Sequence, residues 1–295
     1  MICESLILGH ITEDRNTDHT GKTYRGAGGA VLFSSAAAYA LGHSVRVLTK
    51  VNEKDRDRLS AFTIPRENVI CLDSARSTDM ENVYFTADKE RRRSVCVSRG
   101  DPIGEADLPA GIEAEIWHLA GLVFGDFTDG LIPALAKKGR VAVDVQGYLR
   151  HVDAENGGTM SLKDWERKRE LLPLITFLKT DAAEAEILTG LTDRAEAAKL
   201  LYRWGAKEVL ITHNAEVLVY DGKEILTCPI RSRNLSGRTG RGDTTFAAYI
   251  NERLLHTPAE ALTTATAAVS LKMETPGPLK AKRAEIEAYR NAFYA

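Results

Sequence analysis

The chain contains the run Ser236-Gly237-Arg238-Thr239-Gly240-Arg241-Gly242-Asp243-Thr244-Thr245-Phe246, with three glycines, three threonines and one carboxylate in eleven residues. An apolar helical stretch through Leu254-Leu255 begins directly behind it. A glycine-rich turn that opens a helix presents unpaired backbone N–H groups and the positive end of the helix dipole, which suits an anion. Without a Cβ in the way, the backbone can come close to a phosphate. Asp243 falls in the first helical turn, at the rim of that cradle. Phosphoryl transfer to a hydroxyl needs both parts, a cradle that stabilises the moving charge and a carboxylate that takes the proton. Taken alone, the segment also reads as a glycine turn with Asp243 as an ordinary helix-start residue. It is not a P-loop, because no Gly-Lys-Ser/Thr closes it. Arg241-Gly242-Asp243 also matches a cell-adhesion tripeptide, a reading discarded because so short a motif recurs by chance and no secretion signal accompanies it.

Strand-like and helical stretches alternate along the chain, which predicts a parallel sheet flanked by helices. Strands are expected around Leu6-Ile7-Leu8, Val45–Leu48, Ile116–Leu119, Val141–Asp144, Phe177–Lys179 and Val209–Thr212. Helices are expected over 29–41, 125–138, 182–189, 193–204, 244–255 and 258–272. Several strands end in polar residues, and in open α/β sheets ligands bind beyond the carboxyl ends, so these tips should line one crevice. Two polar, β-like segments, 12–27 and 80–99, read as hairpin arms, the second turning at Asp88-Lys89. The run Arg91-Arg92-Arg93 reads as the solvated face of that hairpin.

A net charge of −2 over 295 residues offers no footprint for nucleic acid or an anionic membrane. Cys3, Cys71, Cys96 and Cys228 are scattered, which predicts reduced thiols rather than a disulfide framework. None of the seven histidines has metal-ligand spacing to another. The first residues are too short and too acidic for a signal peptide, and no apolar stretch approaches the roughly 20 residues of a membrane span. A cytoplasmic location is expected.

Thr239-Gly240-Arg241-Gly242-Asp243 resembles the Thr-Gly-Ala-Gly-Asp signature of the ribokinase-like (PfkB) carbohydrate kinases, with arginine replacing alanine. Further segments agree in order. Gly9 with Asp14 resembles the family's first strand and substrate-binding aspartate. Gly28-Gly29, before a small-residue helix, resembles its Gly-Gly motif. Asp181-Ala182-Ala183-Glu184 resembles its Asn-x-x-Glu motif, and the helix from Ala261 to Lys272 followed by Pro276-Gly277-Pro278 resembles its nucleotide-side helix. The resemblance implies a three-layer α/β/α sandwich with a mostly parallel sheet, as a single kinase domain over 1–295 with β-lid strands within 12–27 and 80–99. It makes Asp243 the general base and Gly240, Arg241 and Gly242 the holders of the transferring group. Asp14, Gly28, Gly29, Phe33 and Gln146 become acceptor-binding. Lys179, Thr212, Thr239, Gly240 and Gly242 become nucleotide-binding, with ATP as donor. Glu184 and Asp181 become the anchors of Mg2+, Glu184 through water. The implied partners are ATP and a small hydroxyl acceptor, with neither nucleic acid nor membrane, and a homodimer through the lid is the arrangement the resemblance admits.

The departures bear on the substrate. Phe33 stands where many sugar kinases of the family carry a sugar-binding asparagine, and it offers an apolar wall instead. Asp144-Val145-Gln146, with Arg150 four residues on, resembles a variant near plant myo-inositol kinases, whose branch also has an aromatic at the Phe33 position. Arg241 adds a guanidinium that either meets the phosphates or points outward to a surface carboxylate. Asn214-Ala215-Glu216-Val217 is glycine-free where relatives have a glycine-containing nucleotide loop, which leaves the donor open. The expected function is transfer of a phosphoryl group to a sugar or cyclitol hydroxyl. A nucleoside kinase and a non-catalytic ligand-binding regulator are the alternatives.

Overall fold

The computed structural model describes residues 2–86 and 91–294. The strands in chain order are β1 (Ile2–Leu8), β2 (Thr12–Thr17), β3 (Thr23–Gly28), β4 (Val45–Val51), β5 (Val69–Asp73), β6 (Thr78–Tyr84), β7 (Arg92–Ser98), β8 (Glu113–Leu119), β9 (Arg140–Asp144), β10 (Arg150–Asp153), β11 (Thr159–Leu162), β12 (Phe177–Asp181), β13 (Glu208–Thr212), β14 (Glu216–Tyr220) and β15 (Ile225–Pro229). The helices are α1 (Ala30–Ala40), α2 (Leu131–Ala136), α3 (Gln146–Leu149), α4 (Lys168–Leu171), α5 (Ala182–Thr189), α6 (Arg194–Arg203), α7 (Arg241–Glu252), α8 (Pro258–Met273) and α9 (Arg283–Phe293).

Nine strands form the large sheet in the order β15-β14-β13-β12-β9-β8-β1-β4-β5. Pairing from β13 to β5 is parallel throughout, and β14 and β15 fold back as an antiparallel edge. The inner strands are apolar on both faces, as a sheet covered on both sides requires. On one face Leu178, Val143 and Ile211 pack with Leu135 of α2, Leu188 of α5 and Leu201 of α6. On the other, Phe177, Ala142 and Leu210 pack with Phe246 and Ile250 of α7, Ala265 of α8 and Ile286 of α9. The parallel register sets Lys179 beside Asp144 and Asp181 beside Thr212, so the polar strand ends share one edge.

The second sheet has the order β10-β11-β7-β6-β2-β3. Strands β7, β6, β2 and β3, the last at the sheet's edge, are the two expected arms, and Asp88-Lys89 lies outside the described residues. Strands β10 and β11, absent from the sequence reading, extend it. The helix expected over 125–138 is confined to α2: Gly125 takes a φ of 88°, and the Asp126 carboxylate accepts the N–H groups of Leu122 at 2.7 Å and Val123 at 3.1 Å. Those bonds fix a turn where the helix was expected. Among the described residues no helix is long and apolar enough to cross a membrane.

Candidate active site

Helix α7 starts three residues before its expected start, at Arg241, behind Gly240 with a φ of 80°. No side chain among the described residues caps that start, so its first N–H groups remain for a ligand. Gly240 is needed for a second reason: a Cβ there would lie 2.2 Å from the Phe33 ring. A Cβ on Gly242 would approach Lys179 Nζ to 3.2 Å, which places that ammonium directly against the helix start. The preceding loop is pinned from below. Lys272, 1% exposed, donates to the carbonyls of Gly237 and Thr239, and Gly237 N–H donates to Met273 at 2.7 Å.

A cavity of about 320 Å³ opens over this helix start. Among the described residues five cationic side chains line it, Arg92, Arg150, Lys179, Arg238 and Arg241, against the carboxylates of Asp181 and Asp243. Arg238 and Arg241 both donate to Asn214 Oδ1, at 3.0 and 3.1 Å. Arg241 therefore turns inward, and its buried Nη1 finds no partner among the described residues. Burial, reinforced by repulsion from Arg238, pulls the Arg241 pKa down to about 10.

A smaller cavity adjoins it, lined by Asp14, Gly29, Phe33, Asn82, Ser94 and Gln146 among others, and it shares Asp243, Gly240 and Thr239 with the first. Asp14 is held by Thr12, whose hydroxyl donates at 2.5 Å, and its carboxylate fills the space where a Gly28 Cβ would stand. Gln146 Nε2 donates to Gly121 O at 2.9 Å. Ser94 Oγ donates to Asn82 Oδ1 at 2.6 Å, and Asn82 Nδ2 donates to Asn16 Oδ1 at 3.2 Å. Gly29, with a φ of 99°, brings the backbone in where a side chain would strike His10 O.

Burial raises the Asp243 pKa, and Lys179, Arg150, Lys272 and Arg92 draw it partly back. Burial likewise raises Asp14. Lys179 sits 3.1 and 3.0 Å from the two Asp144 oxygens; burial disfavours its charge, but Asp144 and Glu184 outweigh that and hold its pKa above the ordinary value.

Of the residues singled out from the sequence, Asp243, Gly240, Arg241, Gly242, Thr239, Lys179, Thr212, Asp181 and Gln146 line the larger cavity, and Asp14, Gly29 and Phe33 line the smaller. Gly28 stands just behind, against Asp14. Glu184 lines neither cavity. It is 1% exposed, its Oε2 accepts Asp181 N–H at 2.9 Å and its Oε1 accepts Arg150 Nη2 at 3.3 Å. The magnesium expectation therefore divides. Asp181 faces the cavity and fits the water shell of an ion carried in on phosphate oxygens; both Glu184 oxygens are already engaged and do not fit. Arg92 corrects the reading of the arginine run as a solvated face, since it borders both cavities from an exposed position on β7. Arg238, Asn214 and Tyr84 were not singled out as site residues; Tyr84 reaches over from β6, its hydroxyl 3.4 Å from Thr239 Oγ1.

The chain resembles several solved structures and one characterised relative. A pyrophosphate-dependent kinase in the ribokinase family, complexed with a pyrophosphate analog and myo-inositol, is 35% identical over 98% of this chain and 100% of that one, with a TM-score of 0.86. A pyrophosphate-dependent myo-inositol-1 kinase, converted into a myo-inositol-3 kinase by changing an asparagine and a serine to leucine, is 34% identical over the whole of both chains, with a TM-score of 0.84. The cytidine kinase of Thermococcus kodakarensis is 24% identical over 83% of this chain and 86% of its own. The profile of the pfkB family carbohydrate kinases matches residues 8–283, nearly the full length of the fold just described, and the chain belongs to that family.

Proposed function

We propose that this protein transfers a phosphoryl group from inorganic pyrophosphate to a hydroxyl of a cyclitol, with Asp243 as the general base. The carrying observation is the wall of the larger cavity, which among the described residues has five cations and a single aromatic ring, Tyr84. Pyrophosphate is charged at both ends and suits guanidinium groups along its whole length. A nucleoside calls for apolar and aromatic walls. The relatives at 34–35% identity that use pyrophosphate and myo-inositol support the same reading.

Chemically, the acceptor sits between Asp14 and Asp243, with Phe33 against its carbon face. Its hydroxyl gives a proton to Asp243 as its oxygen attacks phosphorus, and the α7 N–H groups hold the phosphoryl oxygens. Magnesium, where bound, would offset charge on the donor beside Asp181. The Asn82–Ser94 pair, across β6 and β7, is the counterpart we assign to the asparagine and serine that set regiochemistry in the myo-inositol-1 kinase. Replacing both by leucine should move the phosphate to a different ring position, read by NMR of the product.

The test is an assay of pyrophosphate and ATP in parallel against polyols, sugars and nucleosides. Turnover of pyrophosphate with inositol is expected. Turnover with ATP alone would restore the nucleotide as donor, preference for nucleosides would replace the acceptor, and ligand binding with no turnover would favour a regulator.

A further inference from the structure

Arg150 stands at the seam between the two cavities. It borders both, together with Arg92, Gln146, Thr239, Gly240 and Asp243. A phosphoryl group moving from donor to acceptor has to cross that seam. The short helix α3 and the start of β10 deliver Arg150 there, and Glu184, 1% exposed, accepts its Nη2 at 3.3 Å. Glu184 is itself fixed by Asp181 N–H at 2.9 Å and by Lys179 Nζ at 3.8 Å. Its two oxygens face protein donors, and neither is turned to the cavity where a metal would arrive.

We propose that Arg150 is a catalytic residue, its guanidinium balancing the charge on the phosphoryl group in flight, and that Glu184 is the positioning residue that holds it there. This rests on the kinase reading of the site. As the acceptor oxygen bonds to phosphorus, its proton passes to Asp243; the bridging P–O bond breaks and its electron pair leaves with orthophosphate. Arg150 exchanges no proton. Its planar fork can bond an oxygen of the transferring group and one of the leaving group together. Because Glu184 fixes the guanidinium beforehand, little rearrangement is needed as charge develops.

The test uses the full chain, with pyrophosphate and myo-inositol or whichever pair the wild type turns over. In Arg150→Ala, kcat should fall about 10²–10³-fold. Binding of methylenediphosphonate should weaken by less than about tenfold, and guanidinium ion added in solution should restore part of the rate. Arg150→Lys keeps the charge without the fork and should still lose about tenfold in kcat; it carries the test if the alanine variant does not fold. Glu184→Gln, which keeps shape but not charge, should lower kcat about tenfold with the magnesium midpoint unchanged. Full kcat in Arg150→Ala or Arg150→Lys overturns the catalytic role. A shifted magnesium midpoint with intact kcat in Glu184→Gln returns that residue to the metal and overturns its positioning role. A wild type silent with every donor is a separate result, which overturns the kinase reading and the proposal with it.

Discussion

The larger cavity takes its walls chiefly from the carboxyl ends of β12 and β13 and the start of α7, whereas the smaller takes much of its wall from β2, β6 and β7 of the second sheet. Charge dominates the first: Lys179, Asp181 and Asp243 are set by strand register and a helix start, and arginines surround them. The second adds directional neutral groups to its shared charges: Asn82 and Ser94 of its wall bond each other, Asn82 is held in turn by Asn16, and Thr12 orients Asp14. A charged wall grips any compact polyanion, so changes there should move donor affinity and rate. A wall of fixed amides and hydroxyls selects among neutral hydroxyl patterns, because a mismatched partner leaves buried polar groups unbonded.

Asp243 belongs to both cavities, and its loss should have the largest effect. Asp243→Asn should lower kcat by about 10²–10⁴-fold while a pyrophosphate analogue still binds. Half the wild-type rate in that variant would dismiss it as the base. Its raised pKa also has a sign: the base works only when ionised, so kcat/KM should fall on the acid side, through a pKa above the ordinary 3.8. An acid limb below that value would place the titration on another group.

Next in size is a change confined to the donor side. Arg241→Ala removes a guanidinium whose buried Nη1 has no hydrogen-bond partner among the described residues. A hydrogen bond to a charged group contributes about 1.5–3 kcal/mol, so the donor KM should rise about 10- to 150-fold. The acceptor KM should stay put. Equal movement of both would erase the division between the cavities.

Asp14→Ala is the mirror experiment. Leaving acceptor hydroxyls unbonded costs about 1–3 kcal/mol, or about 5- to 150-fold in kcat/KM for the acceptor, with the donor KM little changed. A donor-side effect of the same size would place Asp14 outside the acceptor pocket.

The same division governs what was legible in the sequence. Gly240, Gly242 and Asp243 form a local signal, since a glycine turn before an apolar helix implies its geometry within a few residues. Lys179 was legible as the polar end of an apolar strand, because a parallel sheet aligns such ends, whereas Asp181 was singled out only through the family resemblance. Arg92 was hidden: a run of three arginines on a hairpin looks solvated until the sheet order carries one of them to the cavity rim. Glu184 misled for a related reason. Its spacing from Asp181 suits a metal pair and a capping box equally, and the structure shows both bonds of the box, Asp181 Oδ1 accepting Glu184 N–H at 2.8 Å and Glu184 Oε2 accepting Asp181 N–H at 2.9 Å. Strands β10 and β11 have four residues each and pair with one another, and β11 joins the second sheet through Thr159 opposite Val95 of β7, a contact no local pattern announces.

The smallest kinetic effect should come from a support that both cavities share. Helix α1 starts at the acceptor side with Gly29 and Phe33 nearby, α7 starts at the donor side, and their far ends meet at His43. His43 Nε2 lies 2.8 Å from Glu252 Oε1 and Nδ1 lies 2.9 Å from Glu4 Oε1, with Arg283 also on Glu252. Burial works against charge on His43, but bonds to Glu252 and Glu4 outweigh it and raise its pKa above 6.5. Burial also opposes charge on Glu252, yet bonds to His43 and Arg283 hold its pKa below 4.5. The stabilisation from His43 is therefore full below pH 6.5 and lost as pH rises through its raised pKa, while that from Glu252 is present above pH 4.5 and lost as pH falls through its lowered one. His43→Leu should cost about 1–3 kcal/mol in denaturant unfolding, with the gap to wild type widest between those two values. Donor and acceptor KM should move together and by less than about threefold, because the variant loosens the footing of both helices without touching either wall. A shift in one KM alone would show that the two helices bear on the site independently, and the common support would have to be sought elsewhere.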